Sequence, residues 1–287
     1  MLPDLYIDVN GVRTRYRQAG GDGLPVILIH GLGASAEIWS ANIGALASRH
    51  RVYVPDLPGF GRTKEPERMD YSPAAYSRFI LDFMTALGIG RAALVGHSLG
   101  GGVALRVILD DPGRVDGLIL VSSAGLGREV SLPLRIASLP FFDRIFFKPP
   151  LTVFIRFLHR LVYDPAAITP EFAHLYYEMF FQPGSVRAFT SILRTIATLR
   201  GARPGILEPI REGLGAITTP VLILWGRQDR ILPVSQAFDA AGRIPGARLH
   251  VFERCGHMPN VEYPGEFNRI LLDFLAENRG QGNEERG

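Results

Sequence analysis

Short, uninterrupted apolar runs punctuate this chain, and stretches of helical period follow several of them. Val26-Ile27-Leu28-Ile29, Val52-Tyr53-Val54, Ala92-Ala93-Leu94-Val95, Leu118-Ile119-Leu120-Val121 and Val221-Leu222-Ile223-Leu224-Trp225 have the character of strands buried on both faces. An earlier pair, Leu5 to Val9 and Val12 to Tyr16, is joined at Asn10-Gly11, a two-residue hairpin signal. Ser35 is predicted to cap a helix whose apolar positions include Trp39, Ile43 and Leu46. Ser72-Pro73 predicts a second start, with Ser as the cap and Pro at the first helical position. Tyr76, Phe79, Ile80, Phe83, Met84 and Leu87 then share one helical face. Near the C-terminus, a helix over Ser235 to Ala241, a strand over Arg248 to Phe252 and an amphipathic helix over Phe267 to Leu275 complete the series. Alternating strands and helices predict an α/β fold: a mostly parallel, doubly wound sheet, covered on both faces, with right-handed crossovers.

The rhythm breaks between about Gly125 and Gly215, where helical stretches run without a strand between them. Prolines at 133, 140, 149, 150, 165, 170 and 183 cut this region into short pieces. It is rich in large apolar side chains, among them Phe141, Phe142, Phe146, Phe147, Phe154, Phe157, Tyr176 and Tyr177. The pattern predicts an α-helical cap over 125–215, inserted into a core domain formed by 1–124 and 216–278. Most of the cap's aromatics are expected to form its own small core, and a minority to face a cleft. Residues 279–287 carry no large apolar side chain and are expected to be a disordered tail.

Composition narrows the function. At 287 residues the chain exceeds the ~250-residue scale at which one core stops growing, which fits a large domain with an insertion. A net charge of only +3 and the lack of a dense Lys/Arg run argue against a nucleic-acid partner. A single cysteine, Cys255, excludes an internal disulfide. No signal-peptide pattern is read at the N-terminus, and no apolar stretch reaches the ~18 residues of a membrane span, so a cytoplasmic protein without stable membrane insertion is expected. A homo-oligomer is compatible with the sequence, which specifies no surface for it. No side-chain cluster has metal-ligand spacing and no glycine turn carries a nucleotide fingerprint, so neither metal nor cofactor is expected.

The chemistry gathers around residues 92 to 109. The strand ending at Val95 runs into Gly96-His97-Ser98-Leu99-Gly100, and a helical pattern starts at Leu99. A serine at the apex of so sharp a strand-to-helix turn is a nucleophile elbow. The new helix also aims backbone N–H groups at any oxyanion formed beside Ser98. A serine hydroxyl needs a base to take its proton and a third group to hold that base. Of seven histidines, only His257 lies in a loop just beyond the last strand, beside Gly256 and Pro259. His97 is inside the elbow, with its side chain expected to point away from the Ser98 side, and His30 is expected to brace neighbouring loops. Asp229, in a loop after a buried strand, is the candidate third member, with Glu129 next in line.

Together His30-Gly31-Leu32-Gly33, Asp56-Leu57-Pro58-Gly59-Phe60-Gly61, Gly96-His97-Ser98-Leu99-Gly100-Gly101, Gly226-Arg227-Gln228-Asp229 and Gly256-His257 resemble the motifs of the α/β-hydrolases, and the likeness spans essentially the whole chain. The resemblance implies a Ser98–Asp229–His257 triad with the backbone N–H groups of Leu32 and Leu99 as the oxyanion hole. Dehalogenases and epoxide hydrolases of this fold use an aspartate where Ser98 stands. Carbon–carbon hydrolases of ring-cleavage products commonly carry Ser-Gly-Pro-Gly after His-Gly, where this chain has Leu32-Gly33-Ala34-Ser35. Haloperoxidase-like members usually have an aromatic in place of Leu32. The expectation is therefore a carboxylic ester hydrolase that takes short to medium apolar acyl chains through an acyl-enzyme. The alternatives are a carbon–carbon hydrolase of dienoates and a hydrolase-fold ligand receptor. Arg135, Arg144, Lys148, Arg156 and Arg160 are expected on a solvated outer face; one turned inward would recruit an acidic substrate and favour the carbon–carbon reading.

Overall fold

The structure, a computed structural model, describes residues 2–66, 69–140, 142 and 148–278. Strands β1 (Leu5–Val9), β2 (Val12–Ala19), β3 (Pro25–Ile29), β4 (Arg51–Pro55), β5 (Ala92–His97) and β6 (Val115–Val121) precede the helical region. A short hairpin, β7 (Ala197–Thr198) and β8 (Gly201–Ala202), lies within it, and β9 (Val221–Gly226) and β10 (Arg248–Phe252) follow. Eight strands form one sheet in the order β1-β2-β4-β3-β5-β6-β9-β10. β2 pairs antiparallel with β1 and β4, and every later pairing in that sheet is parallel. The hairpin turn at Asn10-Gly11 has positive φ at both residues, as the tight two-residue type requires. β2 runs three residues beyond Tyr16 because Arg17, Gln18 and Ala19 pair with β4.

Helix α1 spans Ser40–Ala47, α2 Pro73–Ala86 and α3 Leu99–Asp110. Ser72 caps α2 as expected, its hydroxyl accepting the Ala75 N–H at 3.2 Å. Such a cap contributes about 1 kcal/mol. Ser35 does not cap. Its hydroxyl donates instead to Glu37 at 2.5 Å, while the buried Asp56 carboxylate accepts the Ala36 N–H at 2.8 Å. A 3₁₀ turn over Ala36–Trp39 therefore leads into α1. The buried Glu37 is the reason, because it needs donors where no water reaches. Arg15 supplies them, bridging Asp4, Glu37 and Asp56, with Arg17 also on Glu37 at 2.9 Å.

Between β6 and β9 lie helices α4 (Leu132–Ala137), α5 (Leu151–Leu158), α6 (Pro170–Phe180), α7 (Ser185–Ile196) and α8 (Pro204–Gly213). The β7–β8 hairpin among them is not foreseen by the helical pattern. It has only two residues on each strand, and Gly201 takes φ 101° against the Arg128 carbonyl. Phe154 centres an aromatic cluster, with the rings of Phe157, Tyr176, Tyr177, Phe180 and Phe181 at 5.3–6.0 Å. Phe141, Arg144, Phe146, Phe147 and the segment 279–287 lie outside the described residues. The chain closes with α9 (Ser235–Arg243), α10 (Pro259–Glu262) and α11 (Pro264–Glu277). Among the described residues no helix is long and apolar enough to cross a membrane.

The strand order reverses around β3, which lies between β4 and β5. A crevice opens beyond the carboxyl ends of strands at such a reversal, and β3 and β5 deliver Gly31-Leu32 and Ser98 to it.

Candidate active site

β5 turns into α3 through Ser98, which holds φ 52° and ψ −116°, a conformation that a non-glycine residue adopts only under constraint. Two glycines make the turn passable. A Cβ on Gly96 would lie 2.3 Å from the Gly100 carbonyl oxygen, and one on Gly100 would lie 2.3 Å from that of Ile29. The turn after β3 presses on the same point, for a Cβ on Gly31 would fall 3.1 Å from Ser98 Cβ. Leu32 follows in that turn, and Leu99 opens α3. The main chain at both positions is thus gathered around Ser98.

Asp229 and His257 come from the loops after the neighbouring strands β9 and β10. His257 Nδ1–H donates to Asp229 Oδ2 at 2.7 Å. The Asp229 side chain is fully buried, and its Oδ1 accepts the N–H groups of Ile231 at 2.8 Å and Leu232 at 3.0 Å. Arg227 pairs with Glu253 instead, leaving Asp229 to the histidine. The His257 loop is clasped from outside, its N–H donating to the Leu161 carbonyl at 2.6 Å. Gly256 permits that approach, since a Cβ there would meet the Leu161 oxygen at 2.7 Å. With Nδ1–H committed to Asp229, the free nitrogen of His257 is an acceptor. Glu129 lies elsewhere, in a separate cavity.

His97 corrects the sequence reading. Its ring lies 4.9 Å from that of His257, lines the same cavity and donates Nε2–H to the His257 carbonyl at 2.9 Å. Burial, aided by the neighbouring His257, lowers its pKa to about 3 and keeps it neutral. His30 braces loops as expected. Nδ1–H donates to the Gly31 carbonyl at 2.8 Å, and Nε2 accepts the Leu57 N–H at 2.9 Å. Burial depresses its pKa to about 4.

Ser98 stands where two lobes of a cleft meet. One, of about 390 Å³, is lined by Ser98, His257, Phe157, Tyr176, Arg160 and Arg230, among others. The other, of about 90 Å³, is walled by aliphatic side chains such as Val103, Leu193, Ile196, Leu207 and Ile210. Leu32, Ser98, Leu134 and Ile231 belong to both. Arg160 is exposed, as expected, yet it also lines the cleft at Ser98. Lys148 lies over the rings of Tyr177 and Phe181, and Arg135 lines a different cavity.

Residues 25–264 match the family model of the alpha/beta hydrolase fold. The chain belongs to the α/β-hydrolase family. Within that family it is 32% identical, over 261 residues, to a 2-hydroxy-6-oxo-6-phenylhexa-2,4-dienoate hydrolase of Burkholderia cepacia, an alignment covering 89% of each chain. It superposes on a meta-cleavage product hydrolase of Pseudomonas fluorescens with a TM-score of 0.82 at 34% identity, covering 96% of this chain and 98% of the other. An uncharacterised protein of Mycobacterium tuberculosis is 35% identical over 278 residues, spanning 93% of this chain and 79% of that protein.

Proposed function

We propose that this α/β-hydrolase cleaves the carbon–carbon bond beside a ketone in a carboxylate-bearing dienoate of the ring-cleavage type. The observation that carries the reading is the two-sided cleft at Ser98: Arg160 and Arg230 on one side, an aliphatic lobe on the other. A dienoate with a carboxylate at one end and an apolar ketone substituent at the other has the matching polarity. The names of the relatives point the same way.

In this reading His257 takes the Ser98 proton as Oγ attacks the ketone carbon, and Asp229 holds the imidazole in the competent tautomer. The N–H groups of Leu32 and Leu99 take the oxyanion. Cleavage starts from the keto tautomer, formed when the proton of the enol oxygen beside the carboxylate moves to the carbon next to the ketone. The electron pair of the breaking bond then passes along the remaining double bond to that oxygen, now a carbonyl, which receives the proton from His257. Water, deprotonated by the same histidine, then releases the acid from Ser98. An uncharged ester needs neither arginine. Ester hydrolysis is the second reading, favoured by Leu32-Gly33-Ala34-Ser35 standing where ring-cleavage hydrolases commonly carry Ser-Gly-Pro-Gly.

The test compares kcat/KM for a 6-phenyl dienoate, followed by loss of its absorbance, with that for p-nitrophenyl butyrate. The dienoate should be cleaved at least tenfold more efficiently. Arg160→Gln should raise its KM about tenfold, the scale of one charge-assisted hydrogen bond at a wet cleft mouth, and leave the ester unaffected. Faster ester turnover, or an Arg160→Gln variant that treats both substrates alike, would sink the carbon–carbon assignment.

A further inference from the structure

Asp229 fixes the ring of His257, but the main chain that carries the ring is held by other contacts. The His257 carbonyl accepts the His97 Nε2–H at 2.9 Å, and its N–H donates to the Leu161 carbonyl at 2.6 Å. A third contact runs through Glu262, at the end of α10. Its Oε1 accepts the Gly256 N–H at 2.7 Å and faces the Cys255 thiol at 3.5 Å. Its Oε2 accepts the Tyr163 N–H at 2.7 Å and, more weakly, that of Asp164 at 3.4 Å. One carboxylate therefore holds the residue before the histidine with one oxygen and the turn after α5 with the other.

All four neighbours are donors, so both oxygens must accept, and only the ionised carboxylate offers that on both sides. The two chain segments it joins are already pressed together. A Cβ on Gly256 would lie 2.8 Å from the Val162 Cα and 2.7 Å from the Leu161 carbonyl oxygen. That inserted turn directly follows Arg160 and Leu161, which line the cleft at Ser98. The loop of the base and the cap residues facing the cleft thus form one hydrogen-bonded unit. Glu262 is not among the residues lining that cleft.

We propose that Glu262 is a positioning residue: by bridging Gly256 to Tyr163 and Asp164 it holds His257 within reach of Ser98 and ties that placement to the cap. The proposal rests on His257 being the base, and not on which bond is cleaved. Proton transfer depends steeply on placement, so loosening the clasp lowers kcat rather than substrate binding.

Glu262→Gln and Glu262→Ala in the full chain test this, with kcat and KM measured on p-nitrophenyl butyrate and on the phenyl dienoate. Glutamine keeps one acceptor oxygen. That oxygen stays with the N–H of the buried Gly256, because Tyr163 and Asp164 are exposed and their N–H groups can bond water. The amide NH₂ then faces two donors, and the clasp opens on the cap side only. The expected fall in kcat is about fivefold in the glutamine variant and about 10²-fold in the alanine variant, on both substrates, with KM for the ester within about twofold. The His257 Nδ1 proton, followed by NMR, should exchange with solvent faster in both. A role confined to stability would lower Tm and leave that exchange and the kcat per folded molecule unchanged; this result, or a wild-type kcat in either variant, overturns the proposal. If the alanine variant does not fold, the glutamine variant decides alone. His257→Ala, run beside them, separates the two claims. Activity surviving there refutes the base itself, whereas its loss together with a wild-type kcat in the Glu262 variants refutes only the clasp.

Discussion

Asp229→Asn changes one atom type at the point where the proposed mechanism is most constrained. Asp229 accepts three hydrogen bonds, from the Ile231 and Leu232 N–H groups on Oδ1 and from His257 on Oδ2. An asparagine has one oxygen to offer. The two backbone donors are fixed by the loop, so that oxygen must stay with them. Turning the amide around would set its NH₂ against two N–H groups and leave both buried donors unpaired, about 1–3 kcal/mol for each. The NH₂ is therefore forced toward His257 Nδ1, which must become an acceptor. The imidazole proton moves to Nε2, and the nitrogen that should take the Ser98 proton is already protonated. Loss of kcat on the order of 10⁴, about 5.5 kcal/mol of transition-state stabilisation, is the precedent for this tautomer error in another serine hydrolase. Steady-state turnover of dienoate and ester should fall together, because the base serves both, while circular dichroism and Tm stay close to wild type. A variant retaining a tenth of the wild-type kcat would refute both the tautomer argument and the role assigned to Asp229.

Three further perturbations follow from the same geometry. Gly31→Ala puts a methyl group 3.1 Å from Ser98 Cβ and 2.8 Å from His97 Nδ1; the displaced oxyanion turn should cost roughly 10²-fold in kcat with little change in KM, and an unchanged kcat would show that the turn is not involved. Arg15→Ala leaves the buried Glu37 and Asp56 without their shared cation and should destabilise the fold by about 3–5 kcal/mol in urea titration; a loss under 1 kcal/mol would contradict the account of that cluster. Acid should weaken the fold for a separate reason. The pKa values of His30 and His97 are depressed by burial to about 4 and about 3, so the unfolded chain binds more protons, and stability is full above the unfolded pKa near 6.5 and falls as pH drops toward 4. Burial of Asp56 raises its pKa to about 6, which offsets part of the loss because protonation there is eased on folding. The net expectation between pH 7 and pH 5 is a loss of about 2–3 kcal/mol, read as a lower urea midpoint, and a midpoint that does not move would refute it.

How legible each feature was depended on how far its cause reached along the chain. The sheet was readable because each buried strand is a contiguous apolar run, and the elbow because its constraint is local: Gly96 and Gly100 flank Ser98 within five residues and clear a Cβ that would strike backbone. Asp229 and His257 were legible one step further on, since their places depend only on following adjacent strands, β9 and β10. Ser35 misled because a serine before a helix satisfies the local rule for a cap, while the competing demand came from Glu37, buried by Arg15 on a distant strand. His97 misled in the same way. Alternation along β5 says which face a side chain leaves from, but not that the loop after β10 would return a carbonyl to its Nε2 from 160 positions away. The arginines of the helical region were the least legible. Arg135 and Arg160 share the same amphipathic context in the sequence, yet the first lines a separate cavity and the second the cleft at Ser98. What separates them is how α4 and α5 pack against the loops beyond the sheet, a long-range packing outcome with no local signature. In the proposed reading substrate polarity hangs on those side chains, so the sequence motifs could reach the hydrolase family and the placing of Ser98 beside the Asp229–His257 pair but not the choice between an uncharged ester and an acidic dienoate.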